Sequence, residues 1–420
     1  MKLKGLRWYI IGLICIATMI NYIDRSALGI MWPAMRDDLG LTEDDYAWII
    51  NIFTITYAAG KFISGAVYDK VGTKIGFVFS IFFWSLASVL HAFTKGLMSL
   101  GIFRGGLGIA EAGNWPGAVK SNAEWFPLKE RALAQGIFNA GAAIGSIIAA
   151  PTIAELYGEY GWKMTFVIIG VLGFIWIVPW LIVNKKLPKD HPWITDEERE
   201  HILSGQPAES ESDEDSKPMS LGEILSAKEA WGVLAARFFI EPVWWLFVFW
   251  MPIYLNKEYD FNVKEIGYYA WIPYVGAAIG SIAGGWFVKR LLAKLNVDKA
   301  RKRVIAIGCG IIFIAILGAI LFADSPEKFV AYVFVVLFGF QFSISNIQTI
   351  PSDLLKGRSV GKLAGLAGAV GAISVMIMNW LIPIITKTSY TPAFIILAVI
   401  APLAVLSVFV LIKEIKPIRS

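Results

Sequence analysis

Asn21-Tyr22-Ile23-Asp24-Arg25 lies inside an apolar run that covers residues 6–31. A carboxylate and a guanidinium stand side by side there, among Ile, Met, Leu and Ala. At the centre of a bilayer each such charge costs about 2.5–3.5 kcal/mol on insertion scales. Charges persist at that depth when they line a water-filled cavity or pair with one another. The run is too long for the core of a signal peptide and no small-residue cleavage site closes it, so it reads as a first membrane span. The rest of the chain must then supply partners for Asp24 and Arg25.

The composition agrees with a membrane protein. Of 420 residues, 56% are hydrophobic and 17% charged, against about 25% charged in soluble domains. Twelve runs are long enough for a span, which takes about 20 residues. They cover 6–32, 46–66, 75–93, 97–119, 131–153 and 162–184, then 228–255, 266–288, 303–323, 328–350, 360–384 and 390–413. With a cytoplasmic N-terminus, 27 of the 38 Lys and Arg residues fall on the inside, 7 in outside loops and 4 within spans. That asymmetry places both termini in the cytoplasm. The net charge of +5 follows this topology and does not point to nucleic acid. Cys15 and Cys309 lie in apolar runs, which predicts buried thiols and no disulfide or metal site.

Residues 1–184 and 228–420 form two halves, joined by a loop over 185–227. The loop predicts an amphipathic helix at 195–203 and carries an acidic run at 209–215; it reads as a solvated tether. The halves repeat weakly: Gly65-Ala66-Val67-Tyr68-Asp69-Lys70 follows the second run as Gly285-Trp286-Phe287-Val288-Lys289-Arg290 follows the eighth. The Gly- and Ala-built stretches 136–145 and 365–374 correspond in the same way. Parallel repeats of this kind, with a site near the midplane where they meet, are one plan of secondary transporters.

Gly65-x-x-x-Asp69-Lys70-x-Gly72-x-Lys74 resembles the signature loop of the major facilitator superfamily. The likeness extends over the whole chain and implies an all-α polytopic membrane protein: twelve helices in two six-helix halves, moving by alternating access. It also implies that Gly65, Asp69, Lys70 and Lys74 latch one conformation. Within that superfamily three stretches are similar to the anion:cation symporter family. They are Tyr22-x-Asp24-Arg25, the segment from Arg104 through Glu111 to Pro116, and Glu124-Trp125-Phe126-Pro127. The stretches Ala236-Arg237-Phe238 and Glu241-Pro242-Val243-Trp244-Trp245 resemble the hexuronate branch of that family. Glu241 stands where that branch more often carries Asp, and Gln348 stands where aldonate transporters carry Trp.

Arg104, Gly108 and Glu111 are spaced i, i+4, i+7 and share one helix face. Asp24 and Arg25 are reasonable partners for them, giving two carboxylate–guanidinium pairs. The glycines around them, Gly101, Gly105, Gly106, Gly113 and Gly117, let other backbones come close. The resemblance implies a small organic anion, a sugar acid, carried with H+. A guanidinium can hold a carboxylate bidentately, so Arg25 and Arg237 are the candidate anion contacts. Tyr22, Tyr57, Ser345 and Gln348 are candidates for the hydroxyls, with Asn346 beside them. Asp24, Glu111 and Arg104 are candidates for proton coupling, since no His lies in mid-membrane. Glu241 fits either a third proton site or a partner for Arg237. Lys61 reads as snorkelling, and Trp244 and Trp245 read as packing.

No nucleotide-binding loop, metal-ligand cluster or Ser/His/Asp set occurs, so the reading is not an enzyme and needs no cofactor. The expected protein is a monomeric symporter in a bacterial inner membrane, importing a hexuronate such as galacturonate or glucuronate. Competing readings are an aldonate, aldarate or other organic-anion symporter, and a transporter-like sensor without net transport.

Overall fold

The structure, a computed structural model, describes residues 2–127, 130–204, 219–355 and 358–418. The first part contains α1 (Leu6–Leu39), α2 (Glu43–Leu90), α3 (Leu97–Glu111), α4 (Asn114–Trp125), α5 (Arg131–Val183) and α6 (Asp196–Ser204). The second contains α7 (Leu221–Ser226), α8 (Lys228–Tyr259), α9 (Val263–Tyr269) and α10 (Ile272–Leu292). It continues through α11 (Val297–Phe322), α12 (Pro326–Leu354), α13 (Arg358–Ile385) and α14 (Thr391–Leu406), which runs on into a π-helical turn at Ser407–Leu411. No sheet forms among the described residues; one bridge pairs Leu3 with Ile194.

Nine helices among the described residues are long and apolar enough to cross a membrane, where the sequence offers twelve runs. The runs themselves coincide with helix, and the difference arises in three places. The stretch Leu133–Val183 holds two runs in one. The first run of α2 has Glu43, Asp44 and Asp45 at one end and Lys61 near the other. The run at 97–119 is divided between α3 and α4, of 15 and 12 residues.

Two of the helices fold back on themselves at a single glycine. Within the 48 residues of α2, Gly72 has φ 78° and ψ 166°; within the 53 residues of α5, Gly161 has φ 70° and ψ 170°. Only glycine adopts this region without strain. Each glycine therefore joins two apolar runs with no intervening loop. Elsewhere side chains set the helix starts. Thr42 and Asp45 form a capping box at α2, and Asn296 and Ser325 cap α11 and α12. Such caps satisfy N–H groups that the helix leaves unpaired.

The chain divides into two compact units, Met1–Ser210 with Asn262–Tyr268, and Glu211–Phe261 with Tyr269–Ser420. In the first, α1 packs on α5 and α2 on α3. A Cβ at Gly145 of α5 would stand 2.7 Å from the Met19 carbonyl of α1, and one at Gly108 of α3 would stand 2.7 Å from the Phe53 carbonyl of α2. In the second, α10 packs on α12. Gly276, Gly280 and Gly284 recur every fourth residue along α10 and face the backbone carbonyls of Phe334, Phe338 and Phe342. Dispersion across bare backbone is what holds helices together where lipid removes the hydrophobic drive.

The amphipathic helix expected at 195–203 is α6, and it straps the start of α1. The carboxylate of Glu198 accepts from the backbone N–H groups of Gly5, Leu6 and Arg7 at 2.8–3.2 Å. Arg7 bridges Glu198 at 2.8 Å and Glu130 at 2.9 Å. His201 of α6 also meets Glu130, at 2.9 Å, and Lys2 pairs with Asp196. The acidic run at 209–215 lies outside the described residues. Both cysteines are free; Cys309 is buried as expected, whereas Cys15 is only half-buried, with its carbonyl and sulfur against Gly141.

Candidate functional site: a buried charge cluster

On α1, Asn21 and Arg25 are one turn apart, so their side chains rise on the same face. The Arg25 guanidinium donates through Nε and Nη2 to Glu111 Oε2, at 3.1 and 2.9 Å. Nη2 also reaches Asn21 Oδ1 at 3.2 Å. Three rings box in the same guanidinium: its Cζ is 5.1 Å from the centroid of Tyr22, 5.5 Å from Phe53 and 4.7 Å from Tyr57. Phe53 and Tyr57, one turn apart on α2, stack on each other. Such faces attract a cation. Only 3% of the Arg25 side chain is exposed, and none of Glu111.

The expected second ion pair does not form. Arg104 is buried, and its Nη2 donates to the backbone carbonyl of Arg25 at 2.8 Å. Its guanidinium lies over Phe53 at 4.7 Å, while Nε and Nη1 have no hydrogen-bond partner. Asp24 instead accepts from Ser88 of α2, at 2.5 Å. The four buried groups therefore form one direct pair and two half-satisfied polar side chains. The reason is steric: Arg25 points across to α3, and its own backbone carbonyl occupies one end of Arg104. One oxygen each of Asp24 and Glu111 has no hydrogen-bond partner. A charge buried without full compensation is expensive, so this cluster changes energy steeply with a proton or an added anion.

In the second unit Arg237 and Glu241 of α8 pair at 2.5 Å, and Trp245 donates to the other oxygen of Glu241 at 3.1 Å. Glu241 thus has Arg237 as its ion-pair partner. Trp244 packs between Tyr274 and Phe340. Ser345 and Gln348 lie on an exposed face of α12, whereas Asn346 is buried and accepts from Arg301 at 3.3 Å. Arg301 in turn pairs with Asp353.

Of the signature loop, Asp69 pairs with Lys120 of α4 at 2.6 Å, and Lys74 donates to the Lys185 carbonyl at 3.3 Å. Lys70 is exposed, and nothing approaches the Cβ position of Gly65. Lys61 is exposed and its ammonium lies 4.7 Å from the Tyr57 ring centroid. Sequence reasoning missed Ser88, Phe53 and Lys120. Phe53 carried a signal, because it precedes Tyr57 by one turn. A serine in an apolar run carries none. Lys120 faces Asp69 only through the packing of α4 on α2.

Several known proteins resemble the chain along most of its length. Over 419 residues the chain is 32% identical to the hexuronate transporter of Escherichia coli K12, covering 98% of this chain and 95% of that protein. It is 37% identical over 309 residues to the galacturonate transporter of Dickeya chrysanthemi, covering 73% and 89%. A probable galactarate/D-glucarate transporter of Escherichia coli K12 is 28% identical over 442 residues, covering 100% and 96%. In structure the chain resembles a bacterial homologue of the human lysosomal transporter Spinster in an inward-facing, occupied conformation. The TM-score is 0.73 at 16% identity over 98% of each chain, a likeness of fold. The family model described as Major Facilitator Superfamily matches residues 14–350. Nine apolar helices among the described residues, single-glycine hairpins and a buried charge cluster on α1 and α3 thus belong to a multi-pass membrane protein, and the chain is a member of the Major Facilitator Superfamily.

Proposed function

We propose that this protein is a proton-coupled symporter that imports a sugar acid, a hexuronate, across a bacterial inner membrane with both termini in the cytoplasm. The observation that carries the reading is the 2.9 Å pair between Arg25 and Glu111. A carboxylate held by a guanidinium is the chemical likeness of a bound sugar acid. Ionised, Glu111 competes with the substrate for Arg25; protonated, it releases that group. Protonation from the acidic outside then favours loading, and deprotonation at the cytoplasmic face favours release. Asp24, with one oxygen unpartnered, is the second proton site. Arg104 positions Arg25 through its backbone carbonyl. Tyr22 and Tyr57 orient the guanidinium and offer hydroxyls, while Arg237, Ser345 and Gln348 are the contacts from the second half. Asp69, with Lys70, Lys74 and Gly65, is the latch.

The names of the hexuronate and galacturonate transporters support this substrate class. Those of the galactarate/D-glucarate and D-galactonate relatives keep aldarates and aldonates as competitors. Uptake of a labelled sugar-acid panel into proteoliposomes under an imposed pH gradient separates the classes. The same system tests coupling. Glu111→Gln mimics the protonated state, so it should still exchange substrate yet fail to accumulate it. Accumulation by Glu111→Gln under ΔpH alone would remove Glu111 from the coupling step.

A further inference from the structure

Arg237, Glu241 and Trp245 stand every fourth residue along α8, and Glu241 is the hub. One oxygen holds the Arg237 Nη2 and the other accepts from the Trp245 indole. Arg237 keeps Nε and Nη1 buried with no hydrogen-bond partner. Room for the carboxylate comes from α13: a Cβ at Gly371 would lie 2.7 Å from Glu241 Cγ. The arrangement repeats, in the second unit, what Glu111 does to Arg25 in the first.

We infer that Glu241 is a second placeholder, holding Arg237 until the substrate carboxylate displaces it and taking up one proton from water as it leaves that guanidinium. This rests on the proton-coupled reading above. A substrate carboxylate and the Glu241 carboxylate seek the same guanidinium fork. If Glu241 left as an anion, a buried charge would stand uncompensated, which is costly. Protonated, it still accepts from Trp245 through its carbonyl oxygen, and the anion inherits Arg237. Among the described side chains, the other charged groups on the helices packed against α8 are engaged elsewhere; on α7, Glu223 accepts from the backbone N–H and hydroxyl of Ser220. On α13, Lys362 donates to the Met219 carbonyl. On α12, Asp353 is paired with Arg301, Glu327 accepts from Tyr269, and Lys328 pairs with Asp324. The helix α14 has no ionisable side chain. Beside Arg237, proton uptake thus falls to Glu241.

The test uses the full chain in proteoliposomes, with the proton-to-substrate ratio measured from the gradient that just halts labelled galacturonate flux. Glu241→Gln should lower that ratio by one and flatten the rise of KM with external pH. At pH about 8 its KM should be about tenfold below wild type. Glu241→Asp keeps a titrating group but reaches Arg237 less well. It should retain the wild-type ratio while its KM at the same pH falls, a split that loss of packing alone does not produce. Arg237→Ala should raise KM in either case. If Arg237→Ala raises KM but both Glu241 variants keep the wild-type ratio and pH profile, the placeholder is overturned and the parent reading stands. If the wild-type protein shows no proton-driven flux, both fall together.

Discussion

Glu111 places one carboxylate oxygen on two nitrogens of Arg25 and leaves the other without a partner. The pair is therefore complete enough to hold Arg25 in place and incomplete enough to yield. The ring box of Tyr22, Phe53 and Tyr57 fixes the plane of the guanidinium, and a planar fork is what a carboxylate ligand needs. Arg25→Lys keeps the charge but loses the fork, so galacturonate binding to the purified protein should weaken at least tenfold, or about 1.4 kcal/mol. Isothermal titration of that variant reads the loss, and unchanged affinity would take Arg25 out of the binding site. At this scale much was legible in the sequence. Asp24, Arg25, Arg104 and Glu111 announce themselves because charge in an apolar run needs compensation, and helical spacing puts Arg104 and Glu111 on one face. What could not be read is who pairs with whom. Arg104 donates to a main-chain carbonyl, which has no residue identity, and Asp24 chose a serine of a kind common in apolar runs.

Among the elements, α6 behaves as a clamp on the start of α1. Three successive N–H groups that begin α1 converge on Glu198, where the helix dipole also favours a carboxylate. Arg7 then ties that carboxylate to Glu130, and His201 returns to Glu130 from α6. Burial pushes the Glu130 carboxyl up, but hydrogen bonds from His201 and Arg7 and their charge outweigh it, so it sits below its ordinary value. A depressed carboxylate contributes stability at and above neutral pH and loses it as pH falls through the folded value. Hydrogen-exchange protection of residues 2–7 and of α6 should thus fall as the pH drops below the ordinary glutamate range, after correction for intrinsic rates. Glu130→Gln should remove that acid step; a step of equal size in the variant would assign it to another group. The sequence predicted α6 to within a residue at each end, because Thr195 precedes an acidic turn. It did not predict that α6 docks on α1, which depends on contacts more than 190 residues apart in the chain.

For the whole molecule, the uneven distribution of Lys and Arg gives an orientation that can be checked directly. Single cysteines at Asp37 or Ser325 should react with an impermeant maleimide in intact cells, and one at Lys186 should react only after the membrane is opened. The opposite pattern would invert the protein. The gap between the sixth and seventh apolar runs and the repeated glycine motifs suggest two halves, 1–184 and 228–420, whereas the compact units are Met1–Ser210 with Asn262–Tyr268 and Glu211–Phe261 with Tyr269–Ser420. The reversals at Gly72 and Gly161 fall in gaps between apolar runs, the first within the signature loop, but that each turns on a single glycine was not legible. Yet Gly72 has a role that no single side chain has. It is a joint one residue long, and the second arm of α2 starts from it. Each residue added to an α-helix rotates the remainder of that helix by about 100° and advances it by about 1.5 Å. An insertion or deletion in the arm after Gly72 would therefore swing Ser88 away from Asp24, and His91 away from the Phe166 ring it stacks on. Chain length between residues 72 and 88 is then as strict a requirement as any residue in the charge cluster, and gaps in homologous chains should avoid that interval.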